Sequence, residues 1–89
     1  MPKKQITIVN KLGLHARAAM KLVNLASRFQ SSITLTYNNR DIDAKSIMNL
    51  MAIGASCGHN IVISTTGKDE QAALTAIEKL FKDRFGEDE

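Results

Sequence analysis

Along this chain the spacing of apolar side chains switches repeatedly between two residues and three to four, which restricts it to a layered mixture of strands and helices. In "KQITIV", Ile6 and Ile8 alternate with Gln5 and Thr7, the pattern of a half-buried strand ending near Asn10. From Ala16 to about Phe29, the residues Ala19, Leu22, Val23, Ala26 and Phe29 fall on one stripe of a helix. "SSITLTY" alternates again through Ile33, Leu35 and Tyr37. The turn-prone pair Asn38-Asn39 then leads into "RDID", so the two runs read as a hairpin. Ser46 precedes a brief helix, "IMNLMAI". Gly54 and Gly58 bracket a loop, "NIVISTT" is a fourth strand, and a last helix runs from Asp69 to about Phe85. On that helix Ala73, Ala76, Ile77, Leu80 and Arg84 mark inner and edge positions, with Phe81 beside Ile77, and an acidic "GEDE" tail follows.

The order is therefore β-α-β-β-α-β-α. Each sheet must bury one face, and three amphipathic helices are available for four strands. The economical fold is a two-layer α+β sandwich with the helices on one side and a wet, Thr- and Ser-rich face on the other. If the first two strands are parallel, the first helix crosses between them in the right-handed sense. With 89 residues, 44% of them hydrophobic, residues 1–89 form one domain that buries roughly 60 to 65% of its unfolded surface. A lone cysteine, Cys57, rules out an internal disulfide and suits a reducing cytosol. The amino terminus carries Lys3 and Lys4 but no apolar core of a signal peptide, and no run of about 18 apolar residues exists for a membrane span.

The net charge of +3 is unevenly spread. Lys3, Lys4, Lys11, Arg17, Lys21, Arg28 and Arg40 stand in the first 40 residues without a single acid, and all nine acidic residues follow. Such a half could meet nucleic acid, an anionic ligand or an acidic protein. A small basic nucleic-acid-binding module is the rival reading. Against it, Tyr37 and three phenylalanines are the only aromatic residues, the phenylalanines look buried, and no GxxG or RNP-like string is present.

The two long helices start differently. Asp69 and Glu70 open the last helix at its positive end, with Lys79, Lys82 and Arg84 near its negative end, placements worth about 0.3–1 kcal/mol each. The first helix has Arg17 in its first turn, no carboxylate nearby, and His15 where Ser or Asp would cap it. Backbone N–H groups of Ala16, Arg17 and Ala18 beside a guanidinium make an anion site suited to phosphate. A neutral imidazole at that place can also act as a nucleophile toward phosphorus. The bland alternative is a loop histidine and an arginine that costs the helix under about 1 kcal/mol.

"NKLGLHARAA", "KSIMNLMAIGASCG" and "STTGKDEQAALTAI" resemble, in order and spacing, the HPr family of histidine-containing phosphocarriers of the bacterial phosphotransferase system, over essentially the whole chain. The resemblance implies an open-faced β-sandwich with a four-stranded antiparallel sheet, a cytoplasmic location, and a stoichiometric carrier that is not itself an enzyme. It implies that His15 is phosphorylated on Nδ1 by phospho-enzyme I, ultimately from phosphoenolpyruvate, and passes the group to a histidine of an enzyme IIA, with Arg17 stabilising the phosphate. No cofactor or metal is implied. Most family members carry proline where this chain has Ala18. "NKLG", "LHARAA" and "RFGEDE" look like the nitrogen-related NPr branch, while "KSIM" resembles the sugar-transport branch as well, so both stay open.

Ser46 reads first as an N-cap, accepting from the N–H of Met48 or Asn49. In many relatives the matching serine is phosphorylated by an HPr kinase/phosphorylase, which the resemblance extends to Ser46. The helix after it is apolar around too much of its circumference to be buried everywhere, so an exposed Ile47-Met48-Met51 patch, joined by Met20 and Lys21, is the expected partner interface, rimmed by Lys21, Arg28 and Lys45. Cys57 and His59 read as plain loop residues, since a metal site joining them to His15 would draw on distant loops. A monomer without nucleic-acid partners is expected.

Overall fold

A computed structural model describes residues 2–86, so Glu87–Glu89 of the acidic tail lie outside the described residues. The elements are β1 (Lys3–Thr7), α1 (Ala16–Ala26), β2 (Ser32–Tyr37), β3 (Arg40–Asp43), α2 (Ile47–Ala52), β4 (Asn60–Thr66) and α3 (Glu70–Lys82), closed by a 3₁₀ turn at Arg84–Gly86. The sheet order is β1-β4-β2-β3, with every neighbouring pair antiparallel. β1 and β2 therefore run in the same direction with β4 between them, and α1 carries the chain past one strand position.

Alternation sets which face is buried. Ile6, Ile33, Leu35, Ile42, Ile61 and Ile63 point into the core, while Thr34, Thr36, Val62 and Ser64 stay partly exposed on the opposite face. Ala18, Ala19, Leu22 and Ala26 of α1, and Ala73, Leu74, Ile77 and Phe81 of α3, close over the inward residues. Each fully buried Leu, Ile or Phe side chain contributes about 1.5–3 kcal/mol. Between β2 and β3, Tyr37 pairs with Arg40 across Asn38 and Asn39, both at positive φ (52° and 63°), the primed turn that suits the strand twist.

Three boundaries differ from the sequence reading. β1 ends at Thr7 rather than near Asn10, because from Ile8 onward the backbone bonds to a loop instead of a strand: Ile8 N–H donates to the His59 carbonyl at 2.9 Å and Gly58 N–H to the Ile8 carbonyl at 2.8 Å. α1 stops at Ala26, because the amides of Arg28 and Phe29 reach back only three residues, to Leu25 and Ala26, leaving Phe29 half-buried. α3 stops at Lys82, because Arg84 and Phe85 take positive φ (54° and 55°). That turn leaves Arg84 exposed and drives Phe85 into the core, edge-on to Phe81 with ring centroids 4.8 Å apart. Within α3, Leu74 is buried where the stripe had Ala76, which is half-buried.

Candidate functional site

The site is built on a tight turn. Asn10 is fully buried, its Nδ2 donates to the Gly13 carbonyl at 2.7 Å, and Gly13 N–H donates back to the Asn10 carbonyl at 3.1 Å. Gly13 sits at φ +66° against the loop before β4. A Cβ there would stand 2.6 Å from the Ala55 oxygen and 2.8 Å from Ser56 Cα, so only glycine lets the two loops touch. Leu14 N–H then donates to the Ala55 carbonyl at 3.0 Å, and Leu14 itself is buried.

The next residue is His15. It is the N-cap of α1, with extended backbone (φ −75°, ψ 177°), and its carbonyl accepts the Ala19 N–H at 2.8 Å to start the helix. Its imidazole makes no cap bond to that helix, and the ring is half-exposed. The first turn holds no acidic residue. Ala16 and Arg17 are exposed and Ala18 is buried, so the first turn that follows His15 presents its Arg17 side chain to solvent. Among the described residues no carboxylate pairs with Arg17. The arrangement concentrates positive potential where an anion can reach both a ring nitrogen and the helix end.

α3 meets the same electrostatic problem from within. Glu70 in its first turn accepts the Gly67 N–H at 3.0 Å, and Lys79 and Lys82 occupy its last turn. Asp69, the N-cap, turns its carboxylate away from the helix to accept the amides of Gln30 (3.0 Å) and Ser31 (2.9 Å) and the Ser31 hydroxyl. The Ser31 hydroxyl, followed by the Gln30 amide, holds the Asp69 carboxyl below its ordinary pKa.

Ser46 caps α2 as the sequence suggested, accepting from Asn49 N–H at 3.4 Å, and the side chain is half-exposed. α2 packs on α1, and three methionines from the pair reach solvent: Met48 (76% exposed), Met20 (57%) and Met51 (49%). Ile47 does not join them as an exposed side chain. It is half-buried against the core, because Leu50 three residues on is fully buried and draws that side of the short helix inward. Lys21 Nζ donates to the Phe85 carbonyl and Lys45 Nζ to the Phe29 carbonyl at 2.9 Å, so both ammonium groups are tied to chain ends of other elements.

His59 is more than a plain loop residue. Its Nδ1 lies 3.2 Å from the Ser56 amide and 2.6 Å from the Tyr37 hydroxyl, and its ring stacks on Tyr37 at 5.4 Å. Cys57 is exposed. Asn10, Ala55 and His59, which shape the ground under His15, escaped the sequence reading. Only Asn10, three residues before a glycine, carried a local turn signal. Among the described residues no three potential metal ligands cluster, and no helix is long and apolar enough to cross a membrane.

The family model for the HPr component phosphorylation site of the phosphotransferase system matches residues 2–83. The phosphocarrier protein HPr of Cupriavidus necator is 47% identical over 89 residues, all of both chains. The phosphocarrier protein NPr of Shewanella violacea is 42% identical, over 96% of this chain and 93% of that one. HPr-C-His from Thermoanaerobacter tengcongensis, 42% identical in its crystal structure, superposes with a TM-score of 0.96 over the full length of both chains; HPr from the same organism has also been solved as a dimer, with a TM-score of 0.79. The nucleic-acid reading finds no support among these relatives, and full-length similarity in both sequence and fold establishes that the chain belongs to the HPr family of phosphocarrier proteins.

Proposed function

We propose that His15 is the phosphoryl acceptor, that the donor is phospho-enzyme I charged from phosphoenolpyruvate, and that the recipient is a histidine of an enzyme IIA. The observation that carries this reading is the start of α1: a half-exposed imidazole at the N-cap, a first turn without a carboxylate, and an exposed Arg17. In the first transfer an unprotonated ring nitrogen of His15, Nδ1 by family resemblance, attacks phosphorus, and in the second a ring nitrogen of the enzyme IIA histidine attacks the phosphorus held on His15. A new P–N bond forms as the P–N bond to the donor imidazole breaks, and the donor nitrogen keeps the electron pair. The N–H groups of Ala16, Arg17 and Ala18, with the Arg17 guanidinium, bind the phosphoryl oxygens. The chain carries no base or metal of its own in this reading. It acts as a stoichiometric carrier, a cytoplasmic single domain and a monomer.

Met20, Met48 and Met51, with Ile47 and Lys21 at the edge, form the partner surface beside His15. Polarizable, adaptable side chains suit a surface that serves a donor and several acceptors in turn. Regulatory phosphorylation on Ser46 by an HPr kinase/phosphorylase would add about 1.5 to 2 negative charges at that surface and repel acidic partners.

Labelled phosphoenolpyruvate with purified enzyme I tests the reading. Acid-labile, alkali-stable label should enter the wild type and be lost in His15→Ala, and Arg17→Gln should slow transfer while the fold stays intact. Label retained by the His15→Ala protein would overturn the assignment.

A further inference from the structure

The loop between α2 and β4 contains a histidine to which the carrier role gives no task. Ser56 N–H donates to His59 Nδ1 at 3.2 Å, and His59 N–H donates to the Ser56 carbonyl at 3.0 Å, so the two residues close the turn from both sides. An amide can only donate, so Nδ1 accepts and the ring proton sits on Nε2. The Tyr37 hydroxyl, 2.6 Å from the same nitrogen, then shares the nitrogen's one lone pair with the Ser56 amide in a three-centre hydrogen bond. The two rings stack with centroids 5.4 Å apart and planes 25° apart. Tyr37 is the last residue of β2 and is in register with Arg40 of β3, so the imidazole ties the loop to the fixed frame of the sheet.

The segment that delivers His15 rests on this loop at both ends. At its start, Ile8 exchanges two backbone hydrogen bonds with Gly58 and His59. At its end, Leu14 N–H donates to the Ala55 carbonyl, one residue before Ser56, and Gly13 lies against Ala55 and Ser56 too closely for a Cβ. The loop has little else to hold its shape: Gly54 and Gly58 both take positive φ, and Ser56, Cys57, Gly58 and His59 are all exposed. Any shift of the Ala55 carbonyl moves Leu14, and His15 follows directly in the chain.

We propose that His59, backed by Tyr37, is a positioning residue for phosphoryl transfer, acting through Ser56 and the Ala55 carbonyl on Leu14 and so on the imidazole of His15. It makes no bond to phosphorus. The inference rests on the reading of His15 as the acceptor. Misplacing a reacting group by about 1 Å can cost up to about 100-fold in rate, so a loosened loop should be visible in the kinetics while the fold survives.

The test compares His59→Ala, His59→Asn and Tyr37→Phe in the whole chain, using phosphoenolpyruvate and enzyme I, with hydrogen exchange of the Leu14 amide as a second readout. His59→Ala should lower the saturated transfer rate about tenfold, leave the half-saturating concentration within about twofold, and speed Leu14 exchange. His59→Asn, whose side-chain oxygen can accept where Nδ1 does, should restore most of both, and Tyr37→Phe should fall between. Full rate in His59→Ala, or an Asn variant as slow as the Ala variant, would overturn the proposal. So would a loss confined to the half-saturating concentration, since His59 would then be a contact of the donor protein. If the wild type takes no label on His15, the acceptor reading fails and the kinetic claim with it. Unaltered Leu14 exchange in His59→Ala would instead break the structural link, whatever happens at His15.

Discussion

α1 and α3 begin with the same physical problem, a cluster of backbone N–H groups carrying partial positive charge, and they answer it in opposite ways. At α3 the answer is internal: Glu70 occupies the first turn and bonds back to Gly67, and Asp69 clamps the residues that lead into β2. At α1 a histidine stands at the N-cap without capping, an arginine follows in the first turn, and no acid is present. One helix start is completed by its own sequence and contributes to stability. In the proposed function the other is completed by an anion, and its electrostatic cost then belongs to the chemistry at His15. The two starts nevertheless share one device, a preceding glycine pressed against a neighbouring loop: Gly13 on Ala55 and Ser56, Gly67 on Ser31.

That parallel supplies the largest effects. Gly13→Ala and Gly67→Ala each force a side chain into positive φ and into backbone closer than 3 Å, and each should cost about 1–3 kcal/mol or more, read as a lower urea midpoint. The comparison separates them in a second measurement. At equal residual folding, Gly13→Ala should lose phosphoryl acceptance while Gly67→Ala keeps it, and equal losses would show that the two starts are not functionally distinct. The next effect is in pH. Asp69 has a folded pKa below its ordinary value of 3.8, with the Ser31 hydroxyl as the main cause. The unfolded chain therefore binds that proton more readily. The stabilisation is complete at neutral pH, begins to fade as pH falls toward the ordinary value, and is lost as it passes through the depressed one. Urea midpoints taken from neutral pH down to about 2 should fall less steeply in Asp69→Asn than in the wild type, and superimposable slopes would remove Asp69 from the account.

The alternation and helical stripes carried the sheet, the helices and the placing of His15, Arg17 and Ser46, because these signals are local: a strand's inward side or a helix's apolar face is fixed by residues within one or two turns. What the sequence did not disclose depends on contacts far apart in the chain. The burial of Phe85 is expected, but the positive φ of Arg84 and Phe85 that brings it about has no signature in "DRFG". Asp69 looked like a helix charge and is a clamp on Gln30 and Ser31, nearly forty positions earlier. His59 looked idle because its partner Tyr37 lies at the end of β2, 22 residues earlier in the chain. At the site itself, composition could flag the missing carboxylate, yet the Ala55 carbonyl under Leu14 comes from a loop whose sequence, "GASCG", advertises only flexibility.

A smaller effect tests how α1 tolerates its own unsatisfied end. Ala18 lies in the first turn, fully buried, at the position where the family resemblance places proline. Proline there gives up an N–H that has no partner within the helix and restricts the unfolded chain. Ala18→Pro should raise stability by about 0.4–1 kcal/mol. A lower denaturation midpoint would mean that the buried site cannot take the ring, or that the Ala18 amide makes a bond the fold needs.

The smallest stability change should be the most informative about the contrast. Ala16 is exposed in the first turn of α1, so Ala16→Glu supplies the negative charge that α3 has and α1 lacks. By the helix-dipole argument it should stabilise the fold by about 0.3–1 kcal/mol at low salt, and the gain should shrink as salt screens it. The same carboxylate would sit beside the phosphoryl group, where one negative charge about 4 Å from another costs about 1 kcal/mol even in bulk water, a fall of about fivefold in the equilibrium for phosphorylation. A variant that is more stable and a poorer acceptor is what an unfilled anion site requires. If Ala16→Glu left both quantities unchanged, the missing acid would be incidental. If it stabilised the fold and left phosphorylation untouched, the charge deficit at α1 would concern folding alone, and the difference between the two helix starts would have no bearing on the chemistry at His15.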